Sequence, residues 1–256
     1  LLARGADIRG LMAEIMGKST GVNQGKSGTL HLIVPEVNAL MTSTVVGAGP
    51  PMAVGAAFAQ QYRGEENITA VFFGDGAAAE GSIHEAMNLA AVWDLPLLFV
   101  CENNQWAGAQ PLEVHLAGGS VARRADSYGM ASEAVDGNDP DAVFDVARRW
   151  IEVVRRGEGP ALLELLTYRM HGHSESDHQA YVDPAELELW AQKDPIRLFA
   201  ERLEEEMVCE ASEIEAMRQE AQRVVVDAWM FAEESPDPKP GAALEDVWSH
   251  HSGKDE

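Results

Sequence analysis

Two polar clusters, each directly after an apolar run, have the residue types of a metal site. Asp75 stands inside a Gly-Asp-Gly turn after the first run, and Asn103 and Asn104 follow the second run. Carboxylate and carboxamide oxygens are the ligands that hard divalent cations such as Mg²⁺ prefer in proteins. The two clusters therefore predict one cation site, provided that the fold brings the ends of the two runs together.

The apolar runs themselves predict two neighbouring buried strands. Residues 68–73 and 97–101 are short and rich in β-branched and aromatic or aliphatic side chains, and a helical apolar spacing that Ser82 can cap lies between them. Strand, helix and strand in this order indicate a parallel sheet with a right-handed crossover. Because such sheets bind ligands at the carboxyl ends of their strands, we expect Asp75 and Asn104 at a binding site.

The same glycine turn permits a second interpretation. Residues 74–79 fit the dinucleotide fingerprint G-x-G-x-x-A between a strand and a helix. A carboxylate in that turn would repel a pyrophosphate unless a divalent cation lay between them, and dinucleotide binding does not call for the Asn-Asn pair. A Mg²⁺-bridged diphosphate accounts for both features, with N–H groups of the turn facing the phosphate. A Rossmann-type NAD-dependent oxidoreductase is the alternative function.

Two histidines lie in polar loops. His31 ends a glycine-flexed turn in a long loop, residues 19–43, and loops of that length inside a domain are usually functional. His173 lies in the loop that follows a third apolar run, residues 160–167. For both histidines a solvated structural loop is the alternative interpretation.

The remaining pattern predicts helices around the sheet. Asp-Pro pairs at residues 139–140, 183–184 and 194–195 are typical helix starts, and Ser212 with Glu215 predicts a capping box for a final helix ending at Glu234. The helix after Pro50 and Pro51 has a face of small residues, which predicts deep burial or a subunit contact. We interpret residues 1–256 as one α/β domain with a parallel sheet flanked by helices, in which residues 183–256 form a helical extension and a tail.

Composition argues against several kinds of partner. The net charge of −23 disfavours nucleic acid and anionic membranes, since both select for Lys and Arg. No apolar run is long enough to cross a bilayer, and no secretory signal is recognisable. Cys101 lies in an apolar run and is one of only two cysteines, so we expect a buried free thiol and a reducing compartment.

Five ordered motifs together resemble one enzyme family. The aspartate of Gly-Asp-Gly, followed in the next strand–loop junction by Asn-Asn, resembles the thiamine diphosphate motif. The whole set resembles the alpha subunit of the decarboxylating first component of 2-oxoacid dehydrogenase complexes, and it covers most of the chain, from about residue 10 to residue 248. The motifs are GKSGTLHL, VVGAGPPMAVGAAFA, GDGAAAEGSIHEAMNLAAVWDLP, ENNQWA and TYRMHGHSESD.

This resemblance implies a thiamine diphosphate-binding fold and a set of site residues. It implies that Asp75, the side chain of Asn104 and the backbone carbonyl of Trp106 bind Mg²⁺. It also implies backbone N–H groups for the diphosphate at the glycine turn, a backbone cradle for the aminopyrimidine ring, and catalytic roles for His173 at the diphosphate and for His31 near the substrate entrance. The implied cofactor-binding residues are Thr44, Val46, Gly74, Gly76, Ala77, Asn104 and His173.

The implied activity is oxidative decarboxylation of a pyruvate-like 2-oxoacid, or turnover of acetoin, with acyl transfer to lipoyl groups. In the family the glutamate that activates the cofactor comes from a beta subunit, so the resemblance implies an alpha₂beta₂ assembly and a lipoyl acyltransferase component as partners. The implied location is the cytoplasm of a bacterium, or the mitochondrial matrix in a eukaryote. Ser174 matches a serine phosphorylated in mitochondrial members, and we interpret it here as a plain loop serine.

The chain also departs from the family pattern. A family tyrosine and a diphosphate-binding arginine would precede Leu1, so we interpret the chain as truncated at its N-terminus. A subunit that keeps the fold without the cofactor is therefore a third hypothesis beside the enzyme and the NAD-dependent oxidoreductase.

Overall fold

The computed structural model describes residues 1–246 and groups the chain into two compact units. The larger unit is Val45–Cys209, and the smaller unit combines Leu1–Thr44 with Glu210–Glu256. The interpretation of the chain as one domain stays a prediction. Part of the predicted tail, residues 247–256, lies outside the described residues.

The larger unit is built on a parallel sheet, as predicted. Its four long strands pair in the order β1-β2-β6-β5, every pair is parallel, and β3 and β4 form a separate antiparallel hairpin. Gly74 pairs with Glu102, and Asn103 with Leu166, so the carboxyl ends of β1, β2 and β6 share one edge. The strands are β1 (Thr69–Gly74), β2 (Leu97–Asn103), β3 (Trp106–Ala107), β4 (Gln110–Pro111), β5 (Ala131–Asp136) and β6 (Ala161–Leu166).

Helices of the larger unit flank this sheet, which confirms the predicted α/β class, and the predicted final helix is present in the smaller unit. The side chains of Asp139, Asp183 and Asp194 accept backbone hydrogen bonds from the first turns that follow them, each with proline at the start of the helix. The helices are α1 (Ile8–Ile15), α2 (Gly49–Arg63), α3 (Gly81–Val92), α4 (Leu112–His115), α5 (Pro140–Arg155), α6 (Pro184–Ala191), α7 (Pro195–Glu205) and α8 (Ala211–Glu234).

Strand β2 runs through the core of the larger unit. Its first five residues are all buried because β1 and β6 pair on either side and helices cover its faces. Phe99 packs edge-on against Phe73 with ring centroids 6.5 Å apart, and Ile83 of α3 is buried in the same cluster. Cys101 is a buried free thiol, as predicted, and burial raises its pKa far above the ordinary value. This thiol is therefore a packing residue.

The smaller unit pairs α1 with α8. The predicted capping box of α8 is wrong by two residues: Glu210 and Glu213 form it, and Ser212 lies inside the helix. The partial positive charge of the helix N-terminus favours a carboxylate at the cap position. A pair of glutamates can therefore form the capping box in place of the predicted serine and glutamate. Among the described residues, no helix is long and apolar enough to span a membrane.

Candidate functional site

The structure brings the three predicted metal residues together at the carboxyl edge of the sheet. Asp75 follows β1 and is fully buried, and its Oδ1 accepts a hydrogen bond from the backbone N–H of Asn104 at 3.2 Å. The N–H of Trp106 donates in turn to Oδ1 of Asn104 at 3.2 Å. A carboxylate, a carboxamide and the backbone of a buried tryptophan therefore meet where β1 and β2 end.

Glycine at position 76 allows the hairpin after β2 to pack closely against the turn after β1. A Cβ atom at Gly76 would lie 2.8 Å from Cβ of Ala107, so the hairpin that begins at Trp106 packs directly on the turn. The next residue, Ala77, opens a short 3₁₀ helix, Ala77–Ala79, whose first bond joins the N–H of Ala78 to the carbonyl of Asp75 at 3.2 Å. The N–H groups of Gly76 and Ala77 precede that bond and are the donors that such a helix start offers to an anion. Gly74, the last residue of β1, contributes the backbone that leads into the turn.

Sequence reasoning missed His115, which reaches the same carboxylate. Helix α4 places its Nε2 3.0 Å from Oδ2 of Asp75, while its Nδ1 lies 3.0 Å from the carbonyl oxygen of Pro111. Only 8% of the His115 side chain is exposed. No motif marked this histidine, because its partner lies 40 residues away and only the hairpin between them brings the two together.

Glu164 is a second residue that the sequence interpretation left unused. It is fully buried in β6 and accepts four hydrogen bonds, from the side chains of Asn103 and Ser120 and from the N–H groups of Val121 and Ala122. A signal was available here, since a charged residue inside the apolar run ALLELL needs buried partners.

His173 lies in a loop that is ordered by one carboxylate. Asp177 accepts hydrogen bonds from the N–H of His173 at 2.7 Å, the hydroxyl of Tyr181 at 2.6 Å and the N–H of Gln179 at 2.9 Å. These donors, the Tyr181 hydroxyl foremost, lower the pKa of Asp177 from its ordinary value of 3.8 to about 2. The side chain of His173 itself is exposed.

The base of this loop is attached to the predicted metal residues. The N–H of Arg169 donates to the carbonyl of Asn104 at 3.1 Å, and its guanidinium donates to the carbonyl of Gly108 at 2.8 Å and to the hydroxyl of Tyr181 at 2.7 Å. Tyr181 also packs against the ring of Trp106, with centroids 5.2 Å apart. The structure thus joins the base of the His173 loop to the Asp75 site.

In the smaller unit, the other predicted histidine is paired with a predicted cofactor residue. Nε2 of His31 lies 3.0 Å from Oγ1 of Thr44. The hydroxyl of Thr42 bridges the backbone on both sides of His31, since it donates to the carbonyl of Leu30 at 2.7 Å and accepts from the N–H of Leu32 at 2.8 Å. The His31 backbone is therefore held in place although its side chain is exposed.

The larger unit holds Val46 through its neighbour Gly47. Gly47 adopts a φ of +80°, and a Cβ atom there would lie 2.6 Å from Oγ of Ser82, whose hydroxyl donates to the Gly47 carbonyl at 2.9 Å. The prediction that Ser82 caps α3 is therefore wrong: Glu80 is the cap position, and Ser82 lies in the first turn. Ser82 fixes the backbone beside Val46, a residue that is 61% exposed.

Comparisons with known proteins agree on one family. The sequence profile of the dehydrogenase E1 component family matches residues 1–241. The chain is 41% identical to the alpha subunit of acetoin:2,6-dichlorophenolindophenol oxidoreductase of Bacillus subtilis, over 96% of this chain and 74% of that protein. It is 35% identical to the pyruvate dehydrogenase E1 component subunit alpha of Rhizobium meliloti, over 96% and 71% respectively. A chloroplastic pyruvate dehydrogenase E1 component subunit alpha-3 of Arabidopsis thaliana is also 35% identical, over 98% of this chain and 60% of its own length.

The profile and the relatives support the family resemblance that the five ordered motifs indicate. With its parallel sheet and the buried aspartate at the carboxyl edge, the chain belongs to the dehydrogenase E1 component family, as an oxidoreductase chain of the 2-oxoacid dehydrogenase type that is similar to the alpha subunits.

Proposed function

We propose that the chain is the alpha subunit of a thiamine diphosphate- and Mg²⁺-dependent dehydrogenase that acts on a 2-oxoacid or on acetoin and passes the acyl group to a lipoyl arm. The observation that carries this proposal is the convergence of Asp75, Asn104 and Trp106 beside a glycine turn. The family supports thiamine diphosphate as the cofactor. Both acetoin and pyruvate appear in the names of similar enzymes, and they are the substrate classes that we propose.

The residues present fit a hard divalent cation. Asp75 supplies a carboxylate, Asn104 a carboxamide oxygen and Trp106 a backbone carbonyl, and Mg²⁺ favours oxygen ligands of these kinds. Each Asp75 oxygen accepts one hydrogen bond, which leaves further lone pairs on both atoms. Among the described residues no group of three or more His, Cys, Asp or Glu side chains has the arrangement of a metal site, and the proposed set contains only one such residue.

The glycine turn fits a diphosphate held by that cation. The N–H groups of Gly76 and Ala77 lie at the start of the 3₁₀ helix and would donate to phosphate oxygens, with the backbone of Gly74 beside them. We assign the backbone of Thr44 and Val46 to the aminopyrimidine ring. When bound, the cofactor supplies the nucleophilic carbon and the electron sink for decarboxylation.

The two histidines are proposed to have catalytic roles. His173 would contact the diphosphate and border the channel, and its support is an exposed side chain on a loop whose base is attached to Asn104. His31 would lie near the substrate entrance, and its support is the contact of its ring with Thr44. An imidazole ring at either position carries two nitrogens that can take part in hydrogen bonds with a ligand.

A beta subunit is the proposed partner, as the designation "subunit alpha" of the relatives suggests. Helix α2 supports a protein contact in the larger unit, because Ala53 and Ala57 are buried on one side while Met52 and Phe58 are 52% and 44% exposed. We further propose the alpha₂beta₂ assembly, a lipoyl acyltransferase component as acceptor, and a cytoplasmic location.

The test is cofactor binding by the alpha–beta assembly. In the variant Asp75→Asn the charge of the central ligand is removed while its size is kept, so calorimetric titration with thiamine diphosphate and Mg²⁺ should show no binding. Glu102→Gln is the matched control, since Glu102 is an exposed acid on the same sheet edge and should bind as the wild type does. Unchanged affinity of Asp75→Asn would contradict the proposal.

Turnover then separates the remaining functions. The assembly should decarboxylate pyruvate or a branched-chain 2-oxoacid, or consume acetoin, and comparing the three identifies the substrate. Saturable NADH binding without metal would support the dinucleotide alternative instead. If the assembly does not bind the cofactor, the result would support a subunit that has the family fold but no cofactor.

A further inference from the structure

Glu164 is a buried carboxylate that accepts four hydrogen bonds. Its Oε1 accepts from Nδ2 of Asn103 at 2.7 Å and from the N–H of Val121 at 3.0 Å. Its Oε2 accepts from the hydroxyl of Ser120 at 2.7 Å and from the N–H of Ala122 at 2.8 Å. Four donors from two separate segments therefore converge on one charged group that is fully buried.

These contacts determine the orientation of the Asn103 amide. A carboxylate only accepts hydrogen bonds, so the amide must turn its NH₂ group toward Glu164. Its Oδ1 then faces the opposite way, where it accepts from the N–H of Gln105 at 3.3 Å and from the side-chain amide of Gln105 at 3.0 Å. Asn103, which is fully buried, is thereby a bridge between Glu164 and the residue that follows the Asn-Asn pair.

The bridge spans the turn that presents the proposed cation ligands. Asn104 lies between the two bridged positions, and Gln105 adopts a left-handed φ of +70°, which a residue with a side chain rarely adopts without support. The chain then enters the hairpin at Trp106, whose N–H contacts Oδ1 of Asn104. The direction in which the Asn104 amide and the Trp106 carbonyl point therefore depends on how Asn103 is held.

Glu164 also holds the far end of the same segment. Ser120, Val121 and Ala122 close the stretch that starts at Asn104 and that includes the hairpin and His115. One carboxylate thus ties both ends of this stretch to β6.

We propose that Glu164 and Asn103 are positioning residues for the cation site, which hold the turn so that Asn104 and Trp106 face the carboxylate of Asp75. The role rests on the proposed function, since it concerns the proposed Mg²⁺ site. It also gives a role to Asn103, the first asparagine of the Asn-Asn pair, which is not one of the proposed cation ligands. Outer partners of this kind typically change metal affinity by roughly 10- to 100-fold when they are removed.

The test reverses the polarity of the buried hydrogen bond. In Asn103→Asp two carboxylates face each other across the former 2.7 Å contact, so the turn is pushed out of place. In the double variant with Glu164→Gln, the glutamine NH₂ group can donate to the carboxylate introduced at position 103, which restores the bridge with a single buried charge. The N–H of Val121 then loses Oε1 of Glu164 as its acceptor. Binding of thiamine diphosphate to the alpha–beta assembly is titrated at several Mg²⁺ concentrations, and thermal unfolding is recorded in parallel.

We expect Asn103→Asp to weaken Mg²⁺-dependent thiamine diphosphate binding by about tenfold or more, and the double variant to regain a large part of that loss. A higher Mg²⁺ concentration should restore binding to the single variant, because the lesion lies in the cation site. Asn103→Ser, which adds neither charge nor bulk, makes the same test if the aspartate variant does not fold.

Thr69→Val is the matched control. It removes a partly buried side-chain hydrogen bond, from Thr69 to Gln60 at 2.9 Å, at the amino end of β1, so it should lower the unfolding temperature without changing cofactor affinity. Wild-type affinity in both Asn103 variants would overturn the inference, and so would a double variant as weak as Asn103→Asp. Absent binding by the wild-type assembly would instead overturn the proposed function, and with it this role of the pair.

Discussion

Nε2 of His115 lies 3.0 Å from Oδ2 of Asp75, while the N–H of Asn104 contacts the other oxygen of the same carboxylate at 3.2 Å. Both oxygens of the central acid are thus held by protein donors, one from the strand end and one from a four-residue helix. The carboxylate is fixed in direction before any ligand is considered.

This contact predicts a stability difference between two His115 variants. His115→Leu leaves a buried carboxylate oxygen without its donor, which should lower the free energy of unfolding by about 1–3 kcal/mol. His115→Gln keeps an N–H donor on a side chain of similar length and should lose less. Urea unfolding measures both, with His178→Gln in an exposed loop position as the neutral control. Equal stability of the leucine variant and the wild type would contradict the contact.

The space at the glycine turn makes a second prediction. Gly76→Ala would place Cβ 2.8 Å from Cβ of Ala107, so the hairpin must move away from the turn, at a cost of about 1–3 kcal/mol for overpacking. We expect weaker binding of Mg²⁺ and thiamine diphosphate by calorimetry. Gly81→Ala is the matched control because no atom beyond its chain neighbours and its own helix backbone lies within 4 Å of the added Cβ, and the position is helical, so it should be neutral or stabilising. Identical behaviour of the two variants would argue against the close contact.

The lowered pKa of Asp177 predicts that the His173 loop is sensitive to acid. Its pKa is lowered in the folded protein to about 2, from an ordinary value of 3.8, so its contribution to loop order is complete above the ordinary value and is lost as the pH falls toward 2. Tyr181→Phe removes the main donor and should raise the pKa of Asp177, so that the loop opens at a higher pH. Carboxyl titration by NMR and amide exchange of residues 172–179 measure both effects. An unchanged titration of Asp177 in that variant would refute the assignment.

Glu14 holds part of the long N-terminal loop in place, and this contact makes a further prediction. This fully buried carboxylate accepts from the N–H groups of Asn23, Gly25 and Ser27 at 2.7–2.8 Å. Glu14→Gln turns one acceptor into a donor that faces an N–H group, which should cost about 1–3 kcal/mol of stability and increase amide exchange in residues 19–43.

Because that loop carries His31, which we propose lies near the substrate entrance, the KM for the 2-oxoacid or acetoin substrate should rise in Glu14→Gln while thiamine diphosphate affinity changes little. Glu36→Gln, an exposed substitution in the same loop, is the control and should match the wild type. A loop that exchanges no faster in Glu14→Gln would show that other contacts order it.

Local chemistry was enough to predict several elements. Apolar runs and Asp-Pro helix starts predict the strands and helices of the larger unit, since burial on both faces and N-terminal capping are properties of a few adjacent residues. Capping details were harder: Ser82 and Ser212 both have the right type, but a competing acceptor at Gly47 and a neighbouring carboxylate at Glu210 decided their roles.

The Gly-Asp-Gly and Asn-Asn clusters separate what residue type and spacing predict from what depends on tertiary contacts. Residue type and spacing alone indicated that Asp75 and Asn104 serve one site, because parallel strands place their carboxyl ends on one edge. They did not indicate His115, Glu164 or the role of Asn103, because the contacts His115–Asp75, Asn103–Glu164 and Ser120–Glu164 join residues 40 or more positions apart. Such pairs follow no period along the chain and arise only when strands, hairpin and loop pack together, so the sequence determined the ligand chemistry and the tertiary structure decided what holds it in place.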